Sequence, residues 1–122
     1  MTEDIEKKDE YEHAMLTVGV TTACGITHIK NASVTVYYNG HPGAEHKESD
    51  GCLTDEGGRS KTFLIPCKRA KIGNRYINFP RYPKCDIAIS ADGYVPLKVR
   101  DIPIFPGITV VRYFDLIPLS EK

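Results

Sequence analysis

Apolar and polar residues along this chain alternate with a period of two, in short runs broken by turn chemistry. Leu16, Val18 and Val20 alternate with Thr17, Gly19 and Thr21, the pattern of a strand with one buried face. In a second run Val34, Val36 and Tyr38 share one face, and Ser33, Thr35 and Tyr37 share the other. Asn39-Gly40 and Pro42-Gly43 end that run. The polar stretch from His41 to Cys52 predicts a loop. Thr54-Asp55-Glu56-Gly57-Gly58-Arg59 predicts a tight turn, because glycine accepts positive φ and Asp55 can bond nearby amides. A strand from Lys61 to Ile65 follows, with Phe63 and Ile65 inward, and Pro66 is expected to end it. Ile87, Ile89 and Ala91 alternate before Asp92-Gly93 turns the chain, and Val95, Leu97 and Val99 give another strand.

Ile102 to Gly107 predicts an extended edge crossing and a turn, since proline cannot donate to a ladder. The last strand runs from about Ile108 to Ile117. Arg112 has the parity of Val110, Phe114 and Leu116, which predicts a bulge or an edge position. Helical periodicity is missing outside the N-terminal stretch. The fold class is therefore all-β, a Greek-key-like β-sandwich of about seven strands over residues 15–119. Residues 1–14, rich in Glu, Asp and Lys, read as a charged flexible tail, disordered or a short helical turn.

Composition narrows the function. A chain of 122 residues fits one domain. Its net charge is zero, so no global field draws it to nucleic acid, and no nucleic-acid partner is expected. No apolar run approaches the roughly 20 residues that span a bilayer, so no membrane partner is expected either. The charged N-terminus lacks a secretory h-region. A cytoplasmic location is the default, beside export by another route or excision from a larger protein.

Candidate chemistry is sparse. No Gly-x-Ser-x-Gly elbow, phosphate loop or His-Glu-x-x-His pattern occurs, so no enzyme activity, catalytic residue or cofactor is expected. His41, Glu45, His46, Glu48, Asp50 and Cys52 crowd one segment, but their spacing matches no metal site, and no metal is expected. The four cysteines, Cys24, Cys52, Cys67 and Cys85, form no Cys-x-x-Cys pair, and without a signal peptide reduced thiols are the default.

The segment between Cys67 and Cys85 is more informative. It carries Lys68, Arg69, Lys71, Arg75, Arg81 and Lys84 with no acidic residue among them, interleaved with Tyr76, Phe79 and Tyr82. Read as a long structureless connection, it is a candidate binding loop for an anionic or glycan polymer. Arg69, Lys71, Arg75, Tyr76, Arg81 and Tyr82 are its candidate binding residues. In the bland alternative the aromatics cap the core and the cations are solvated. Cys67 ends one predicted strand and Cys85 opens the next, and antiparallel pairing of the two would set them for a disulfide at the loop's neck. The acidic Glu45–Glu56 region and the basic loop also offer head-to-tail self-association, beside the simpler reading of two solvated loops.

The order of the turns brings in a family. Thr54-Asp55-Glu56-Gly57-Gly58-Arg59, a strand, and then Ile89-Ser90-Ala91-Asp92-Gly93-Tyr94 resemble the carboxypeptidase regulatory-like, or transthyretin-like (prealbumin-like), sandwich domain. Members carry a T-D-x-x-G turn and an A-x-G-Y turn before a closing strand that ends near L-x-P, here Asp115-Leu116-Ile117-Pro118-Leu119. The stretch Ile102-Pro103-Ile104-Phe105-Pro106-Gly107-Ile108-Thr109 is similar to a subgroup found beside peptidoglycan-binding modules in spore-forming Firmicutes. The resemblance covers roughly Leu16 to Leu119. It implies a non-enzymatic binding or accessory module for a cell-envelope or spore-wall polymer, acting through loop 68–84. The alternative it leaves is a structural or assembly domain of a larger surface or virion-like particle, with no small ligand. Two related chemistries are absent. Met15 to Thr22 holds no lysine for a self-made isopeptide bond, and the C-terminus lacks the Y-R-G-S motif of the 5-hydroxyisourate hydrolases.

Overall fold

The computed structural model describes residues 11–39, 47–72, 75–79 and 84–119, with side chains over 12–38, 49–67 and 84–119. Its strands are β1 Tyr11–Thr22, β2 Thr27–His28, β3 Ser33–Asn39, β4 Lys47–Leu53, β5 Arg59–Ile72, β6 Arg75–Phe79, β7 Lys84–Ser90, β8 Leu97–Pro103 and β9 Thr109–Leu116. One sheet runs β2–β1–β5–β6, with β9 added to β1 in parallel, and the other runs β4–β3–β7–β8. The hairpins β3–β4, β5–β6 and β7–β8 fall in alternate sheets, so the chain crosses between layers after each one, as a Greek-key-like sandwich requires.

The period-two pattern accounts for the core. Leu16, Val18, Val20, Phe63 and Ile65 enter it from the first sheet, and Val34, Val36, Ile87 and Ile89 from the second; all nine are sealed from solvent. Burial of each such side chain contributes about 1.5–3 kcal/mol. The outer positions of β1 are covered too. Gly19 lies in register with Tyr113, whose ring occupies the space that a Cβ on Gly19 would need. Arg59 stacks on that ring, 5.7 Å from its centroid, and donates to the Tyr113 hydroxyl.

Thr54 explains the predicted turn. Its buried hydroxyl donates to the Ile29 carbonyl (2.7 Å) and accepts from the Ala32 amide (2.9 Å), tying the β2–β3 connection to the turn before β5. Asp55 accepts from the Gly57 and Arg59 amides, closing the turn on itself.

Four expectations need correction. First, β1 begins at Tyr11, inside the stretch read as a tail, because His13, Ala14 and Met15 pair with Pro66, Ile65 and Leu64. Second, Lys47–Leu53 is strand rather than loop: β4 pairs with β3 from Ser33↔Leu53 to Asn39↔Lys47. It is an edge strand, where charged residues are suited and apolar alternation is not required. Third, Pro66 does not end its strand; β5 continues to Ile72. Fourth, the connection read as structureless contains the β5–β6 hairpin, paired from Lys68↔Phe79 to Ile72↔Arg75. β1 pairs with β5 at Pro66, Cys67 and Lys68, and the hairpin partner β6 takes over from Lys68, so the strand is carried past the proline. Arg112 lies on β9, which among the described residues pairs with β1 alone, so the edge reading holds, and its guanidinium packs 5.9 Å from the Phe114 ring centroid.

Candidate functional site

A concave feature among the described residues arises from a row of partners across the second sheet. Gly51 on β4, Thr35 on β3, Ala88 on β7 and Lys98 on β8 are successive Cα partners. Partners in an antiparallel ladder project to the same face. Val34, Val36, Ile87 and Ile89 fill the core from the opposite face, so this row lies outside. Thr35 and Ala88, small residues in adjacent strands, leave a trough there. Tyr37 bounds it on one side, and Ser33, Ser90, Pro96 and Leu97 bound it on the other, around a cavity of about 290 Å³.

The polar lining is unsatisfied by the protein itself. Among the described residues, the side-chain hydroxyls of Ser33, Thr35, Tyr37 and Ser90 have no hydrogen-bond partner, and Lys98 has no ion-pair partner. Three other lysines are paired: Lys61 with Asp50 at 3.0 Å, Lys30 with Glu56 at 3.5 Å and Lys84 with Asp101 at 3.8 Å. A trough that combines one free ammonium with four free hydroxyls can therefore offer its full bonding capacity to a ligand. The alternation along β3 already set Ser33, Thr35 and Tyr37 on one face. What the sequence reading missed is that Ala88 and Lys98 stand beside them, a fact that only strand register supplies.

Two further clusters are structural. Ala23, Cys24 and Gly25 take consecutive left-handed conformations, with φ of 58°, 57° and 87°. The Cys24 and Gly25 amides point at Asp115, which also accepts from the Thr21 hydroxyl at 2.6 Å. The Thr21 hydroxyl, joined by these two amides, holds the Asp115 carboxyl below its ordinary value. The other cluster is the pair of buried thiols. Burial pushes Cys67 up, and it pushes Cys85 up to about 12, aided by Asp86 and opposed by Arg112.

The sequence-predicted site residues are distributed differently from the expectation. Arg69 and Lys71 lie on β5, and Arg75 and Tyr76 on β6, with Lys71 paired to Tyr76 and Ile72 to Arg75. The structure thus brings these four onto one hairpin, while Arg81 and Tyr82 lie outside the described residues. Cys67 and Cys85 are not cross-strand neighbours, because β5 belongs to the first sheet and β7 to the second. Both enter the core as free thiols. Of the segment weighed for metal, His41, Glu45 and His46 lie outside the described residues. Asp50 pairs with Lys61, and the Cys52 sulfur accepts from the Lys61 amide at 3.4 Å. Among the described residues no group of three or more His, Cys, Asp or Glu is placed to hold a metal, and no catalytic constellation is assembled.

No protein-family model matches the chain, and no curated protein matches it. Solved structures do. Catechol 1,2 dioxygenase of Acinetobacter radioresistens is 12% identical with a TM-score of 0.64, covering 97% of this chain and 56% of that one. The 3-chlorocatechol 1,2-dioxygenase of Rhodococcus opacus is 13% identical with a TM-score of 0.61, covering 91% and 62%. The chlorocatechol 1,2-dioxygenase of Pseudomonas putida is 12% identical with a TM-score of 0.50, covering 90% and 61%. The chain thus spans 56–62% of the length of these dioxygenase chains. At such identities the likeness establishes the sandwich fold. It also overturns the expectation of a non-enzymatic wall-polymer module: the three solved chains named above are dioxygenases, and the loop that carried the expectation contains a paired hairpin.

Proposed function

We propose that this chain is an enzyme-type β-sandwich domain that holds a small hydroxyl-bearing ring in the trough on the outer face of the second sheet. The observation that carries the proposal is the trough's lining, in which Ser33, Thr35, Tyr37, Ser90 and Lys98 present polar groups without protein partners among the described residues. Size supports it. A cavity of roughly 150 Å³ accommodates benzene, so about 290 Å³ leaves room for a ring with its substituents. The names of the structural neighbours point the same way, since catechol is a planar ring with two adjacent hydroxyls. Kinship with the carboxypeptidase regulatory-like group belongs to the same reading. It is supported by the Thr54–Arg59 turn, closed by Asp55, and by the Ala91–Tyr94 turn, closed by the Tyr94 amide on the Ala91 carbonyl at 3.1 Å.

The test is an amide-resolved NMR titration with a panel of small hydroxylated rings that begins with catechol, kept reduced, and D-glucose. Shifts clustered at Thr35, Tyr37, Ala88 and Lys98, abolished by Ala88→Leu, are the expected result. If no ring in the panel moves those amides, or if Ala88→Leu leaves the shifts in place, the proposal is wrong.

A further inference from the structure

We infer that the trough selects a polyhydroxy ring acid of the hexuronate class, with the carboxylate on Lys98 and the ring hydroxyls on Ser33, Thr35 and Ser90. This rests on the small-ring reading above and names its ligand class. The polar inventory decides between classes. A neutral diol engages two of the hydroxyls and leaves the Lys98 ammonium facing the ligand unpaired. A ring bearing several hydroxyls and one negative charge matches the whole set, hydroxyl to hydroxyl and carboxylate to ammonium.

The electrostatics of the trough favour an anion. Lys98 is the sole fully charged residue in its lining. The acid closest by register, Asp86, is the Cα partner of Tyr37 and stands outside the lining. Its carboxylate is already engaged, accepting the Asp101 amide at 3.0 Å. The dimensions agree as well. Thr35 and Lys98 are separated by the β7 strand, an interval of roughly 10 Å at ordinary strand spacing. Over that interval the floor is the Ala88 methyl, and a pyranose seated on it lies between the Thr35 hydroxyl and the Lys98 ammonium. The Tyr37 ring and Pro96 add apolar surface for the C–H faces of such a ring.

D-Glucuronate and D-glucose test this directly, because they differ by a carboxylate in place of a hydroxymethyl group. Both are titrated against the native chain and the Lys98→Gln, Lys98→Arg and Ala88→Leu variants, with folding of each checked by far-UV circular dichroism. Glucuronate is expected to bind about fivefold more tightly than glucose, the scale of a solvent-exposed ion pair. Lys98→Gln should remove that preference, and Lys98→Arg should restore it. If the two sugars bind the native chain equally, or the preference survives Lys98→Gln, the inference falls while the small-ring reading stands. If no ring shifts the trough amides, both fall together.

Discussion

Replacing Gly58 by alanine should be among the most damaging single-methyl changes in this protein, and its cost can be worked from two separable causes. Gly58 has φ +77°, a left-handed conformation that costs an L-residue about 1–2 kcal/mol. A Cβ there would also lie 2.6 Å from the Val20 carbonyl oxygen and 3.1 Å from the His28 Cβ. That oxygen belongs to the backbone, so no rotamer relieves the overlap. The turn must move away from β1, stretching the bond from the Val20 amide to the Gly58 carbonyl, now 2.7 Å. Loss of that bond adds about 1 kcal/mol. The sum is about 3 kcal/mol, on the order of a hundredfold in the folding equilibrium. Two other glycines separate the causes. Gly93 has φ +87° and nothing within 4 Å of a built Cβ, so Gly93→Ala reads the backbone cost alone. Gly57 meets only the Asp55 Oδ1, at 3.5 Å, so Gly57→Ala should fall within about 0.5 kcal/mol of native. Urea unfolding followed by circular dichroism and tyrosine fluorescence measures all three, since the chain has seven tyrosines and no tryptophan. The reasoning is refuted if Gly58→Ala costs no more than Gly93→Ala.

Three other outcomes follow from the same geometry. Thr54→Val keeps the side chain's shape but strands the buried Ala32 amide and Ile29 carbonyl, so urea unfolding should show a loss of about 2–4 kcal/mol; a loss below about 1 kcal/mol would mean that water or a backbone shift replaces the hydroxyl. Asp115 titrates below its ordinary value of 3.8, so its contribution is present above the unfolded-state value and disappears as pH falls through the lower folded value. Asp115→Asn should therefore flatten the acid limb of melting temperature against pH, and parallel limbs for native and variant would count against the Thr21–Asp115 contact. In native protein without reductant, maleimide should label exposed Cys24 and spare buried Cys67 and Cys85, which should react once urea unfolds the chain. Two thiols that stay unlabelled in urea until reductant is added would instead reveal a Cys67–Cys85 bridge.

Much of the fold was legible because burial on one face of a strand leaves a period-two signature. Val18, Val34, Phe63 and Ile87 were assigned inward from alternation, and each is sealed in the core. The turn at Thr54–Arg59 was legible because its chemistry is local, a carboxylate bonding amides two and four residues away. Edge elements were not legible. β4 has no apolar alternation, and β6 follows a proline-containing strand within a basic stretch; both exist because a neighbouring strand offers its amides and carbonyls. Propensity and periodicity do not register that offer.

The candidate site divides in the same way. Alternation along one strand is enough to put Ser33, Thr35 and Tyr37 on one face, and the local pattern is enough to put Cys67 and Cys85 at strand positions. That Ala88 and Lys98 stand in the same row as Thr35, and that the two cysteines belong to different sheets, emerges from the folded sandwich. Which face a residue occupies follows from its own strand, through the pleat. Which residue stands beside it depends on strand order and register, set by how the two apolar faces find a common core.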